Sequence, residues 1–197
     1  MLVDTPRFRI DWPTRVGHLA AIEPLPREVV ANAAALAAGY NDPRNAELMG
    51  HGEAIAEAEV ALLYADAAAE GDRSFLLFRD DQLVGDGDLR HLRDGAAEFA
   101  FMIAAPTVQG QGLGTRFATM IHAFGFTQLG LARIYASVVP ANVASRRVFE
   151  KLGYQLDASA VARTFADEPG DLVLAIDRAT FERGQAAALA EIRCTPR

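Results

Sequence analysis

Residues 109–115 read Gln109-Gly110-Gln111-Gly112-Leu113-Gly114-Thr115, with a glycine at every second position from 110 to 114. Upstream, AEFAFMIA at 97–104 has the apolar density of a largely buried strand, closed by Pro106. Downstream, Leu113, Phe117, Met120, Ile121 and Phe124 recur at helical spacing, so a helix is expected over about 113–128, with Gly130 as its stop. A turn from strand to helix leaves the first N–H groups of the helix unpaired, with the positive end of the helix dipole behind them. Glycines there let an anion approach the amides without meeting a Cβ, which makes a phosphate cradle. The competing reading is a turn kept small for close strand–helix packing. Two familiar phosphate loops are excluded by spacing. The dinucleotide fingerprint needs a third glycine where Thr115 stands, and the Walker loop needs a lysine after its last glycine, where the chain has Thr115-Arg116.

A second stretch lies one strand further on. ARIYASVV at 132–139 reads as a strand ended by Pro140, and Asn142 is a good N-cap for a helix to Leu152, stopped by Gly153. On that helix Asn142, Ser145 and Phe149 share one face, and Ala144, Val148 and Leu152 form the expected core stripe.

Around this centre the pattern continues in both directions. A short strand is expected at 15–23 and a helix from about Arg27 to Ala38, with Pro26 at its start. A turn-rich loop follows at 40–52, then a helix from Glu53 to Glu70 with Ile55, Ala58, Leu62 and Ala65 as its stripe. Strands are expected at 74–78, 83–92 and 97–104, and in the tail at 154–163 and 171–177, before a final helix at 178–193. No internal repeat or linker interrupts the chain. The fold class is α/β (α+β): one domain over 1–197 with a mixed sheet and helices on its faces.

Composition bounds the partners. With 51% hydrophobic and 23% charged residues the chain is ordinary for a soluble globular protein. The net charge of −7 argues against nucleic acid and is compatible with a cationic substrate. The single cysteine, Cys194, allows no internal disulfide. No signal peptide pattern and no apolar run near the roughly 20 residues of a membrane span is seen, so a cytoplasmic protein is expected, with no membrane partner. His18, His51, His91 and His122 show no metal-ligand spacing, and no metal is expected.

Two motifs together carry a resemblance. Gln109 to Gly114 matches [QR]-x-x-G-x-[GA], and Asn142, Ser145, Phe149, Leu152, Gly153 and Tyr154 match N-x-x-[SA]-x-x-x-[FY]-x-x-L-G-[FY]. The span from about Ala97 to Tyr154 thus resembles the acetyl-CoA-binding core of the GNAT superfamily of N-acetyltransferases, closest in motif style to the RimJ/RimL-like branch that acetylates ribosomal proteins. The resemblance implies a mostly antiparallel sheet splayed at the acetyl-CoA site. It implies the pyrophosphate on Gln109, Gly110, Gln111, Gly112, Leu113, Gly114 and Thr115. The pantetheine would run along Met102, Ile103 and Ala104, and Asn142, Ser145 and Phe149 would border it. The helices at 26–70 would build the acceptor side, with Asp42, Glu47 and Glu53 either holding an amine or serving as ordinary surface charge.

The implied reaction is attack of a primary amine, on a protein N-terminus or a small molecule, on the thioester of acetyl-CoA. Glu98 is the candidate base, against an exposed edge carboxylate. Relatives often carry a tyrosine where Phe149 stands, and phenylalanine cannot protonate the leaving thiolate. Tyr154 is the substitute acid considered, although core packing is its first reading. Tyr135 and Ser137 could line the splay, and Arg116, Arg146 and Arg147 could meet the adenosine phosphate. The alternative from another class is a GNAT-like module that binds acyl-CoA without catalysis, as a sensor. Many such relatives form homodimers, a state the resemblance leaves open here.

Overall fold

A computed structural model describes residues 6–49, 53–104 and 109–197. Pro106, His51 and the N-terminal residues 1–5 lie outside the described residues.

The chain opens with an antiparallel hairpin, β1 (Phe8–Thr14) and β2 (Gly17–Ile22). The expectation at 15–23 covers only β2. The signal for β1 is the period-two alternation of Phe8, Ile10 and Trp12, blurred by Pro13. Helix α1 (Pro26–Tyr40) starts with proline at its head, and the Glu28 carboxylate accepts the Leu25 N–H at 2.7 Å. Then come α2 (Pro43–Met49) and α3 (Glu57–Glu70). Strands β3 (Arg73–Arg79), β4 (Gln82–Arg93) and β5 (Ala96–Ile103) form an antiparallel meander. The rest is α4 (Leu113–Thr127), β6 (Arg133–Val138), α5 (Val143–Leu152), β7 (Gln155–Leu156), α6 (Ala160–Arg163), β8 (Leu172–Asp177), α7 (Arg178–Gly184), α8 (Ala186–Glu191) and β9 (Arg193–Pro196).

The strands form one nine-stranded sheet in the order β7-β8-β6-β5-β4-β3-β2-β1-β9. Every neighbouring pair is antiparallel except β5 with β6. That parallel pairing covers only Ala96↔Arg133, Ala97↔Ile134 and Glu98↔Tyr135. Beyond Glu98, β5 runs on to Ile103 and β6 to Val138 without pairing to each other, so the sheet opens there, as the resemblance implies.

Helix α4 is buried on nearly every side, with Phe117, Met120, Ile121 and Phe124 at the expected inward positions and Thr119 and His122 buried as well. It packs on the sheet face that carries Leu89 and Phe99. The opposite face of β5 meets α1, where the Met102 methyl closes on Gly39. Side-chain alternation along a strand makes these two faces distinct.

Four local expectations are corrected. The loop at 40–52 contains α2: Asp42 Oδ1 accepts the N–H groups of Arg44 and Asn45 at 3.0 and 3.2 Å, and Pro43 takes the first helical position. The strand at 154–163 shrinks to Gln155–Leu156 because Ser159 caps α6 through the Ala162 N–H. The final helix at 178–193 breaks at Gly184-Gln185, and Arg193–Pro196 leave it to pair with β1 at the sheet edge. In α3 the inward positions are Val60 and Tyr64 rather than Leu62, which is 63% exposed.

Candidate active site

The three glycines of the turn have different duties. Gly110 and Gly112 both sit at φ +76°, a left-handed conformation that costs other residues about 1–2 kcal/mol. Gly112 is also the N-cap of α4 and supplies no capping side chain. Gly114 is small for a different reason, since a Cβ there would lie 2.9 Å from the Phe101 ring. The close-packing reading thus holds for Gly114. Two glycines set an open, uncapped helix start, and the third lets that helix lie against β5.

From this turn a cleft of about 320 Å³ runs between α4, α5 and the free edge of β5. Met102, Ile103, Gln109, Gly110, Gly112, Leu113, Gly114, Thr115, Asn142 and Ser145 line it, ten of the positions expected from sequence. Missed by the sequence reading are Asn45, Leu48 and Met49 of α2, together with Ala144, Val148 and Lys151 of α5. Among the described residues, no group of three or more His, Cys, Asp or Glu side chains could hold a metal ion.

Asn45 ties the cleft together. It is buried, donates from Nδ2 to the Gly39 and Ala104 carbonyls at 2.9 and 3.2 Å, and accepts the Gln109 amide at 3.1 Å. Gln109 also donates to the Ile103 carbonyl at 3.0 Å, which anchors the turn to the end of β5. Asn142 caps α5 by accepting the Ser145 N–H at 3.0 Å and reaches across to donate to the Leu48 carbonyl at 3.3 Å. Ala104 contributes its carbonyl to Asn45 rather than a wall to the cleft. The Gln111 side chain is turned to Arg79, accepting at 2.7 Å.

Phe149 is a correction. It is 2% exposed and packs among Phe99, Phe101 and Tyr154, with ring centroids 6.2, 6.0 and 4.9 Å away. The two stripes of α5 are thus partly redrawn: Phe149 joins the expected Leu152 in the core, Ala144 faces the cleft, and Val148 lines the cleft while also packing against the core. The reason is that the N-cap, at φ −79° and ψ 70°, is not on the helix, so Asn142 is a poor marker of its face. The largest apolar side chain then decides which way the helix turns.

Tyr154 is corrected as well. It is 3% exposed, and its hydroxyl bonds the His122 Nε2 inside the core. His122 Nδ1 lies 2.6 Å from the Ala118 carbonyl, which can only accept, so Nδ1 carries the proton and Nε2 accepts from Tyr154. Burial, opposed by the bond to Ala118, lowers the imidazole to about 3. Burial first and the Glu98 charge second hold the Tyr154 phenol far above its ordinary value. The hydroxyl is thus committed to a neutral internal pair and does not reach the cleft.

Glu98 is at the last β5 position paired with β6, where the sheet begins to part. It is 1% exposed, not an edge carboxylate. Arg90 donates to its Oε1 at 2.8 Å, and His91 Nδ1 lies 3.2 Å from Oε2. Arg90 also pairs with Asp167 at 2.7 Å. Burial works against the Arg90 charge, but the bond to Glu98 and the surrounding carboxylates outweigh it and raise its pKa. Tyr135 stacks on Phe165 at 4.3 Å, and Ser137 donates to Asp171 at 2.8 Å, so neither is free to line the opening. Of the arginines singled out, Arg147 lines the cleft, while Arg116 is folded back onto the Gly112 carbonyl at 3.1 Å and Arg146 points to the Pro140 carbonyl at 3.4 Å.

Known proteins share this architecture. RimJ of Mycobacterium smegmatis in complex with CoA-disulfide superposes with a TM-score of 0.71 over 95% of this chain and 97% of that one, at 18% identity. The aminoglycoside acetyltransferase AAC(6')-Ib in complex with coenzyme A gives 0.69 over 84% and 98%, also at 18% identity. In sequence, the spermidine N(1)-acetyltransferase of Escherichia coli K12 is 30% identical over 49% of this chain and 52% of its own length. The probable N-acetyltransferase YjcK of Bacillus subtilis is 34% identical over 41% and 46%. The aligned stretch therefore spans about half the length of these two curated relatives. Residues 25–155, well over half of the chain, match the family model described as the acetyltransferase (GNAT) domain, and the chain belongs to the GNAT acetyltransferase family.

Proposed function

We propose that the protein transfers the acetyl group of acetyl-CoA to a primary amine by direct attack of the amine on the thioester. The observation that carries this reading is one cleft joining the uncapped start of α4 to the opening between β5 and β6. The pyrophosphate lies on the amides of residues 112–115, where bare N–H groups and the helix dipole favour an anion. Arg147 and Lys151 on the cleft wall add positive charge to that end.

The pantetheine arm extends along the free edge of β5, beside Met102 and Ile103. Ala104 donates its N–H to Val84 on the β4 side, so strand alternation turns the backbone of Phe101 and Ile103 toward the opening. The Ile103 carbonyl is already occupied by Gln109. The Phe101 N–H is then the group suited to polarise the thioester carbonyl and to hold the oxygen as it gains charge. The buried places of Phe149 and Tyr154 leave neither to protonate the thiolate. A thiol of pKa about 8.5 leaves acceptably without one.

The acceptor is a cationic amine. The relatives named above include enzymes of spermidine and aminoglycosides, and the acceptor side of this sheet carries carboxylates. The whole chain, 1–197, serves as one catalytic unit, and a cytoplasmic setting suits its acetyl donor. No helix among the described residues is long and apolar enough to cross a membrane.

The test is calorimetric titration with acetyl-CoA, using ADP and NAD as controls, followed by thiol release across a panel of amines. Selective binding with thiol release above the hydrolysis background supports transfer. Binding with no release from any amine favours the sensor reading. A folded protein that does not bind acetyl-CoA rules out both.

A further inference from the structure

On the face of the sheet turned toward α1 and α3, Asp86, Asp88 and Arg90 alternate along β4, opposite Met102, Ala100 and Glu98 of β5. The outer two have partners. Asp86 accepts the hydroxyls of Tyr40 of α1 and Tyr64 of α3, the latter at 2.7 Å. Arg90 is held by Glu98 and Asp167. Asp88 stands between them with its Oδ1 shut off from solvent and without a hydrogen-bond partner among the described residues. On its other side the opposing residue is Ser74 of β3.

The position opposite Asp88 gives this vacancy a direction. Ala100 brings only a methyl, and directly opposed Cβ atoms stand about 5 Å apart. Ala100 is also two residues past Glu98, the last β5 residue paired with β6, so it sits where the sheet has parted. Asp88 therefore faces only a methyl across the strand pair, one strand away from the stretch of β5 that β6 no longer covers.

We propose that Asp88, rather than Glu98, takes the proton from the acceptor ammonium over Ala100. The assignment rests on the acetyl-transfer reading above. Glu98 is poorly placed for the task, because both of its oxygens are engaged, by Arg90 and His91. In the step, the ammonium gives one proton to Asp88. The neutral nitrogen then forms its bond to the thioester carbon, and the C–S bond breaks. The second proton lost by nitrogen goes to the departing thiolate, which leaves as the thiol. Asp88 returns its proton to solvent.

The charged and titratable groups acting on Asp88 are Asp86 and Arg90 on its own strand, Glu98 on β5 and Asp72 just before β3, and Tyr40 on α1 feels its charge in turn. Burial, opposed by Arg90 and reinforced by Asp86, Asp72 and Glu98, pushes its carboxyl up to about 7. A base of that strength is ionised above neutrality and can still be reprotonated there.

The experiment is the pH profile of kcat/KM at saturating acetyl-CoA for the wild type, Asp88→Asn, Asp88→Glu and Glu98→Gln, with acetyl-CoA affinity measured in parallel. Asp88→Asn is expected to lower kcat/KM about 100-fold and to remove an acid limb near pH 7, with acetyl-CoA affinity unchanged. Asp88→Glu restores part of the rate with a shifted limb, and the limb persists in Glu98→Gln. An active wild type whose Asp88→Asn variant keeps its rate within threefold and keeps the limb overturns this assignment alone. A wild type that binds acetyl-CoA but acetylates no amine overturns the proposed reaction, and this role with it.

Discussion

The two faces of β5 are built on opposite principles. Toward α4 it presents Phe99 and Phe101, locked into an aromatic cluster with Phe117, Phe149 and His122. Toward α1 and α3 it presents Glu98, Ala100 and Met102, next to the ionisable row Asp86, Asp88 and Arg90 of β4. The first face fixes position: close-packed rings set where the α4 start and the glycine turn can lie, and Gly114 has room for nothing but hydrogen against Phe101. The second face holds charge in a largely buried setting, where each carboxylate is defined by the partners it has.

The sharpest way to break this contrast is Phe149→Ala. If Phe149 belongs to the rigid face, the variant loses about 3–5 kcal/mol of stability in urea unfolding, the usual cost of emptying an aromatic core site. An unchanged midpoint with weakened acetyl-CoA binding would return Phe149 to the cleft. Next is Asn45→Ala, which strands the Gly39 and Ala104 carbonyls and the Gln109 amide. A loss of about 2–3 kcal/mol is expected, with a higher KM for acetyl-CoA as the turn loosens. A stable variant of unchanged KM would show that α2 is not part of the site.

The apolar face also carries a pH signature. His122 is held neutral, with a pKa lowered from 6.5 to about 3. The unfolded chain binds its proton first, so this contribution to stability is complete above about pH 6.5 and is lost as pH falls toward 3. His122 by itself should make unfolding free energies drop by about 1.4 kcal/mol per pH unit inside that window, on top of what other groups contribute. His122→Gln should flatten that part of the curve, and an unaltered slope would mean other groups carry it. Asp86 and Asp88 have the opposite sign. Their carboxyls are raised to about 6 and about 7, so they favour the folded state at low pH and that gain is lost as pH rises through those values. The smallest effect expected is Leu62→Ser on the exposed side of α3, within about 0.5 kcal/mol by thermal melt. A drop of several degrees in Tm would mean that this face of α3 is covered in solution.

Sequence and structure part company along identifiable lines. The glycine turn, the α4 stripe, the Asn142 cap and the β3–β4–β5 meander are legible because each depends on neighbours within a few residues. Helix α2 was legible in principle through Asp42-Pro43, and β1 through its alternation. The final helix was not, because its last residues are claimed by pairing with β1, far away in the chain. Phe149 and Tyr154 match a motif whose spacing is local, but which way they point is decided by the rings of Phe99 and Phe101 and by His122.

By itself the sequence determined a strand–turn–helix with an open, glycine-built start, and a second capped helix one strand later, because hydrophobic period, caps and glycine conformation act over short distances. Only the tertiary structure decided that β5 and β6 part after Glu98 and that Glu98 is spent on Arg90 and His91. It alone left the Asp88 Oδ1 without a hydrogen-bond partner among the described residues, since strand register and burial are set by residues from β3, β4, α1 and α3 arriving together.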